Sequence, residues 1–224
     1  MAARLAVVVP AVNEAGRIRA ALEALAPLRE AGHQVIVVDG GSDDSTVELA
    51  RPLADLVLIS EQGRAMQMNA GARAARAEAL VFLHADTRLP ARADALILEA
   101  LQAHVWGRFD VRIEGRHPLL RVIAGAMNLR SRLTGIATGD QAIFVRRDAF
   151  RAFPEIALME DIAFSRVMKR AGWPACLRER VTTSGRRWES HGVMRTVFLM
   201  WRLRFLYALG VAPQRLAREY ADQR

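Results

Sequence analysis

The feature that most limits how this chain can fold is a fourfold alternation of two hydrophobic periods. "RLAVVVP", "QVIVVDG", "DLVLIS" and "ALVFLHAD" are short apolar runs, and a segment with helical spacing follows each of them. Those segments are "EAGRIRAALEALAPL", in which Ile18, Leu22 and Leu25 share one face, "DDSTVELARPLA", "RAMQMNAGARAARA" and "ARADALILEALQA". Strands apolar along their whole length must be covered on both faces, and the helices between them are what covers them. The pattern predicts an α/β fold with a mixed, mainly parallel sheet and helices on both sides.

After about residue 105 the rhythm changes. "WGRFDVRIEG" sets Phe109, Val111 and Ile113 against Arg108, Asp110, Arg112 and Glu114, which predicts a half-exposed strand. A helix over residues 118–133, a strand over "GDQAIFVRR" and a helix over "MEDIAFSRVMKRAG", closed by Gly172, are expected next. There is no internal repeat, low-complexity run or long linker, and 224 residues suit a single domain.

Composition removes several classes. At 52% hydrophobic and 25% charged residues the chain is expected to fold rather than stay disordered. Lys and Arg number 32 against 24 acidic residues, a net charge of +8 that suits an anionic partner: nucleic acid, acidic headgroups or a phosphorylated small molecule. Cys176 is the sole cysteine, so neither an intrachain disulfide nor a thiolate-rich metal site can form, and a reducing cytoplasm fits. The apolar run in "MAARLAVVVPAVNE" is too short for a secretory signal core.

In open α/β sheets ligands bind beyond the carboxyl ends of the strands. Polar groups gather in this sequence at just those places: Pro10 to Glu14, Asp39 to Asp43, and His84 to Asp86. "DGGSDDST" reads either as a strand-to-helix loop with its cap or as a loop whose Asp39 accepts the N–H of a nucleobase. It lacks the lysine of a phosphate-cradling P-loop and the glycine spacing of a dinucleotide fold. Asp86 reads either as a helix cap near Pro90 or as the one carboxylate that, with waters and phosphate oxygens, holds Mg²⁺ or Mn²⁺ at a diphosphate. Glu160 and Asp161 read as first-turn helix acids or as functional carboxylates.

Taken in order, "VVVPAVNE", "VIVVDGGSDDST", "GRAMQMNAGARAA", "LVFLHADT" and "MEDIAFSRVMKRAG" resemble the motifs of family 2 inverting glycosyltransferases, which have the GT-A fold. The likeness spans about residues 5 to 190 and is strongest to a small bacterial subgroup found beside radical-SAM and selenodomain proteins, including enzymes linked to arsenosugar formation. It implies a nucleotide-binding half over residues 1–105, an acceptor-side half over 106–190 and a C-terminal helical segment over 191–224. By position it implies that Pro10, Ala11, Asn13 and Glu14 line the nucleotide pocket, Asp39 meets the base, Arg64 reaches the nucleotide with Asn69 behind it, and Asp86 holds metal and diphosphate. His84 stands where the family's D-x-D has its first acid. The resemblance also makes Asp161 the general base, places Asp140, Gln141 and Glu160 on the acceptor side, and offers His191 as a late metal ligand. "SGRRWESHG" keeps Arg187 and Trp188 of a Q-x-x-R-W motif but has Ser184 at the glutamine, so processivity is not inferred.

"VMRTVFLMWRLRFLYALGV" is apolar but carries Arg195, Arg202 and Arg204, which makes insertion across a bilayer costly. It suits a helix lying on an anionic membrane surface, or one packed on the core or against a second copy in a homodimer. The implied activity is metal-dependent, inverting transfer of a sugar from a nucleoside diphosphate, UDP above others, to a hydroxyl acceptor. Its rivals are a nucleotidyltransferase and a basic scaffold without catalysis that binds membrane or nucleic acid. The first would want a glycine-rich basic loop where Asn13 and Glu14 stand, and the second gives no reason for carboxylates at successive strand ends.

Overall fold

A computed structural model of the chain describes residues 4–190 and 192–221. The four apolar runs form β1 (Leu5–Ala11), β2 (Gln34–Asp39), β3 (Leu56–Ile59) and β4 (Ala79–Phe82). Between them lie α1 (Ile18–Glu23), α2 (Ala26–Glu30), α3 (Thr46–Ala50) and α4 (Arg64–Ala74). Then come β5 (Thr87–Arg88), α5 (Ala93–Ala103), β6 (Trp106–Glu114), α6 (Leu119–Thr134), a 3-10 turn at Gly139–Gln141 and β7 (Phe144–Arg146). The chain continues through α7 (Glu160–Met168), β8 (Ala175–Ser184), α8 (Arg186–Ser190), α9 (Val193–Ala208) and α10 (Pro213–Ala221).

The strands make one sheet in the order β3-β2-β1-β4-β7-β6-β8-β5. β1 runs parallel to both β2 and β4, and β7 runs antiparallel to β4 and β6. The chain builds outward from β1 to β3 and then returns to β1's other side, so the carboxyl ends of β2, β1 and β4 lie side by side at a topological switch. Alternate residues of β1 feed two cores. Leu5, Val7 and Val9 pack with Ile18, Leu22 and Ile97, while Ala6 and Val8 pack with Met68 of α4 and Phe164 of α7. Full burial of a side chain of this size stabilises by about 1.5–3 kcal/mol, which is why the apolar runs carry the fold. Gly71 lets α4 approach closely, since a Cβ there would lie 2.4 Å from Val8.

Four local expectations are corrected. The helix expected over "EAGRIRAALEALAPL" is two helices, because Pro27 in the first turn of α2 has no N–H to continue α1's bonding. The strand expected over "GDQAIFVRR" begins only at Phe144; Thr138 and Gln141 form a reciprocal capping box that winds Gly139–Gln141 into a 3-10 turn. β3 is an edge strand, and its Ile59 is 71% exposed rather than covered. β6 is half-exposed only toward its end: Arg112 and Glu114 are exposed as expected, whereas Arg108 is wholly buried and Asp110 nearly so, because β6 lies between β7 and β8 with α6 against it. Arg108 donates to Asp110 and to the Asn128 carbonyl at 3.1 Å, Arg132 donates to Asp110 at 2.8 Å, and Asn128 exchanges two bonds with the Val111 backbone. Charges are tolerated inside only with partners of this kind.

The C-terminal helices dock on α7. Leu203 of α9 and Leu216 of α10 are fully buried against Met159 and Ile162. The opposite face of α9 leaves Phe198, Trp201 and Phe205 between 63% and 67% exposed. Among the described residues no helix is long and apolar enough to cross a membrane.

Candidate active site

Two loops build the first wall. In the loop after β1, Asn13 adopts a left-handed backbone (φ 54°) and donates its N–H to Ser42 Oγ at 2.8 Å, while its side-chain oxygen accepts the Asp43 N–H at 2.9 Å. Glu14 N–H donates to Thr46 Oγ1 at 2.8 Å and Ala15 N–H to Asp44 at 3.1 Å. The loop after β2 is thereby laced to the loop after β1. Behind them the buried Gln67 of α4 donates to the carbonyls of Ala11 and Val38, both at 2.8 Å, and so seals the ends of the two strands. Sequence reasoning passed over Gln67; its signal is a polar residue on the face of α4 that carries Met68 and Ala72.

The expected nucleotide residues occupy distinct positions. Pro10 and Ala11 end β1 and are buried. Asp39 is only 1% exposed, and its carboxylate accepts the N–H groups of Gly41 and Ser42 at 2.9 and 2.8 Å and the Ser42 hydroxyl. It holds the loop in shape. Asn69 is buried too, and its amide pairs with the backbone of Phe153 through bonds of 2.9 and 2.8 Å, so it clamps the segment that leads to α7. Burial raises the Glu14 carboxyl above its ordinary range against the pull of Arg17 at 3.0 Å, and nearby Asp86 raises it further.

Asp86 lies just past β4, half-buried, with Oδ1 accepting the Thr87 hydroxyl at 3.2 Å. Among the described residues Oδ2 accepts no hydrogen bond, and no group of three or more His, Cys, Asp or Glu forms a cage for a metal. A single hard oxygen donor fits a cation that takes its remaining ligands from phosphate and water. His191 lies outside the described residues.

A second group of carboxylates gathers around the start of α7 and the 3-10 turn. Asp161, in the first turn of α7, accepts the Gly139 N–H at 3.0 Å and the Ile162 N–H at 2.7 Å. His84 faces Asp140 at 3.5 Å and lies against Gly139, where a Cβ would stand 2.5 Å from its Nε2. Glycine is required there for that close approach. A small cavity joins His84, Gly139, Glu160 and Asp161, floored by Met68 and Phe82. Glu160 is 6% exposed; burial raises its carboxyl, Asp161 raises it further, and Arg64 at 3.8 Å pulls it back. Burial opposes the charge of Arg64, but Glu160, Asp140 and Asp161 outweigh it and hold the half-exposed guanidinium charged. Gln141, expected toward the acceptor, is instead fully buried, its amide accepting the Thr138 N–H at 3.2 Å and donating to Asn128 at 3.4 Å.

Comparison with known proteins agrees with this architecture. Among solved structures the chain is similar to the mannosyltransferase PcManGT from Pyrobaculum calidifontis in complex with GDP-Man and Mn²⁺, with a TM-score of 0.66, 22% identity, and coverage of 100% of this chain and 70% of that one. S. aureus TarS 1–349 gives a TM-score of 0.64 at 21% identity, covering 87% of this chain, which spans 64% of that one. Glucosyl-3-phosphoglycerate synthase from Mycobacterium tuberculosis, in complex with Mn²⁺, UDP and glucosyl-3-phosphoglycerate, gives 0.57 at 17% identity, covering 81% of this chain and 71% of that one. No curated protein matches the sequence. The likenesses establish the GT-A fold. The family model described as "Glycosyl transferase family 2" matches residues 6–159, more than half of the chain, and the chain therefore belongs to glycosyl transferase family 2.

Proposed function

We propose that the protein transfers a sugar from a nucleoside diphosphate to a hydroxyl acceptor with inversion. The observation that carries this reading is that the segment after β4 connects the two groups: Asp86 lies near Glu14 of the laced loops, and His84, two residues earlier, shares a cavity with Asp161, itself fixed by Gly139. The nucleotide lies along the loops at Pro10, Ala11, Asn13 and Glu14, with the buried Asp39 shaping the loop that meets the base and Arg64 reaching the nucleotide. Asp86 is the side chain that would hold a divalent cation, Mg²⁺ or Mn²⁺. When bound, such a cation supplies positive charge where the leaving diphosphate gathers negative charge.

Asp161 does the proton work. Its carboxylate takes the acceptor hydroxyl's proton as that oxygen bonds to the anomeric carbon, while the bond from that carbon to the diphosphate breaks on the opposite side. One displacement on one face inverts the configuration. Two backbone N–H groups fix the carboxylate before the acceptor arrives, which favours the reactive geometry. UDP is the expected nucleotide, and membership of the subgroup linked to arsenosugar formation is part of the proposal. So is a peripheral seat on the inner face of a membrane through the exposed aromatic face of α9, where Arg195 and Arg202 also lie exposed.

The test is a thermal-shift panel of UDP-, GDP- and dTDP-sugars with and without Mn²⁺ or Mg²⁺. A ligand present at one hundred times its Kd stabilises the native state by about 2.7 kcal/mol, a shift easily read. Selective, metal-dependent stabilisation by one class supports the reading, and indifference to all of them overturns it.

A further inference from the structure

Two guanidiniums that feel the charge of Asp161 are left unused by the reaction above. Arg130 on α6 and Arg204 on α9, both from the second half of the chain, lie within electrostatic reach of Asp161, and Arg204 within reach of Arg130. Nε and Nη2 of Arg130 are buried without a hydrogen-bond partner among the described residues. An unpaired buried donor is costly, and the charge of Arg204 adds repulsion, an arrangement that a bound anion would relieve. Arg64 has Glu160 as its partner, whereas Asp161, the carboxylate both arginines feel, is already bonded to two backbone N–H groups.

We infer that Arg130 and Arg204 form a subsite for an anionic group, a phosphate or carboxylate, carried by the acceptor close to the hydroxyl that Asp161 deprotonates. Planar guanidiniums bind such groups through paired N–H bonds, and two of them match the charge of a phosphate monoester. The electrostatics agree: burial, with Arg204 alongside, pulls Arg130 down to about 10, and burial lowers Arg204 against the pull of Asp161 and Asp140. An anion between them would reverse both effects. The inference rests on the transfer reading and narrows its acceptor to anionic hydroxyl compounds.

The same chemistry has a second source, the diphosphate of the donor, so the experiment fills the donor site first. Inorganic phosphate is titrated calorimetrically into the protein saturated with Mg²⁺ and the nucleoside diphosphate selected by the thermal-shift panel. Wild type is expected to bind phosphate still, and Arg130→Gln and Arg204→Gln to bind it at least tenfold more weakly with nucleotide affinity unchanged. Arg204→Lys keeps the charge and is expected to recover part of the affinity, which separates loss of the subsite from a damaged fold. In transfer assays glycerol 3-phosphate and glycerate are then expected to outperform glycerol at least tenfold in kcat/KM, an advantage the glutamine variants lose. Absence of phosphate binding beside bound nucleotide, or weakening of nucleotide instead of phosphate by the variants, overturns the subsite. Failure of any nucleotide to bind overturns the transfer reading itself.

Discussion

The backbone N–H of Gly139 donates to Asp161 Oδ2 at 3.0 Å, so the carboxylate of α7 is aimed by a turn that arrives from a different part of the chain. The same glycine lies against His84, which in turn faces Asp140 at 3.5 Å. Substituting Gly139→Ala would force a Cβ to within 2.5 Å of the imidazole, and ring or turn must move. We expect transfer to fall by roughly 10- to 100-fold, the scale of a 1 Å misplacement, with nucleotide binding retained. Steady-state turnover beside calorimetric nucleotide binding reads the two effects apart.

Asn69→Ala tests the clamp on the segment before α7. The substitution leaves the buried N–H and C=O of Phe153 unpaired, at a cost of about 3 kcal/mol, and at this chain length that lowers Tm by roughly 6–12 °C. Differential scanning calorimetry measures it. An unchanged Tm would mean that the segment is held by other contacts.

Glu160 makes a prediction with a sign. Its carboxyl is raised from an ordinary 4.5, foremost by burial, so the folded state holds this proton more tightly than the unfolded state does. Its favourable contribution is complete below the ordinary carboxylate range and is lost as pH rises through the raised value. Glu160→Gln is therefore expected to be more stable than wild type at pH 8, with the advantage vanishing near pH 4. Urea denaturation at the two pH values checks this, and an equal difference at both contradicts it.

Much of this was legible in the sequence because burial on two faces leaves an unmistakable pattern in β1, β2 and β4, and polar groups at their ends then mark the ligand edge. β8 escaped notice because "ACLRERVTTS" joins the sheet through backbone bonds to β6 and β5 while Arg178, Glu179 and Arg180 stay exposed. Arg108 and Asp110 misled for the opposite reason, being charges buried as partners of residues on α6. Gln141 and Asn69 carry the residue types of a site but spend them on the fold, whereas Arg130 gave only a weak signal, an arginine beside the buried Ser131 of a helix.

The exposed face of α9 predicts membrane affinity. Co-sedimentation with vesicles containing anionic lipid is expected for wild type and lost in Phe198→Ser with Trp201→Ser, two residues too exposed to contribute to the core. Dimerisation by wild type that the double variant abolishes, without lipid binding, would assign the face to a second copy.

Asp161, in this mechanism, moves a proton and does not hold the nucleotide. Release of nucleoside diphosphate from the donor sugar, measured beside nucleotide affinity in the Asp161→Asn protein, tests it directly. Turnover is expected to fall by about 10²- to 10⁴-fold with affinity within twofold of wild type. Near-normal turnover, or turnover and affinity falling together, would contradict it.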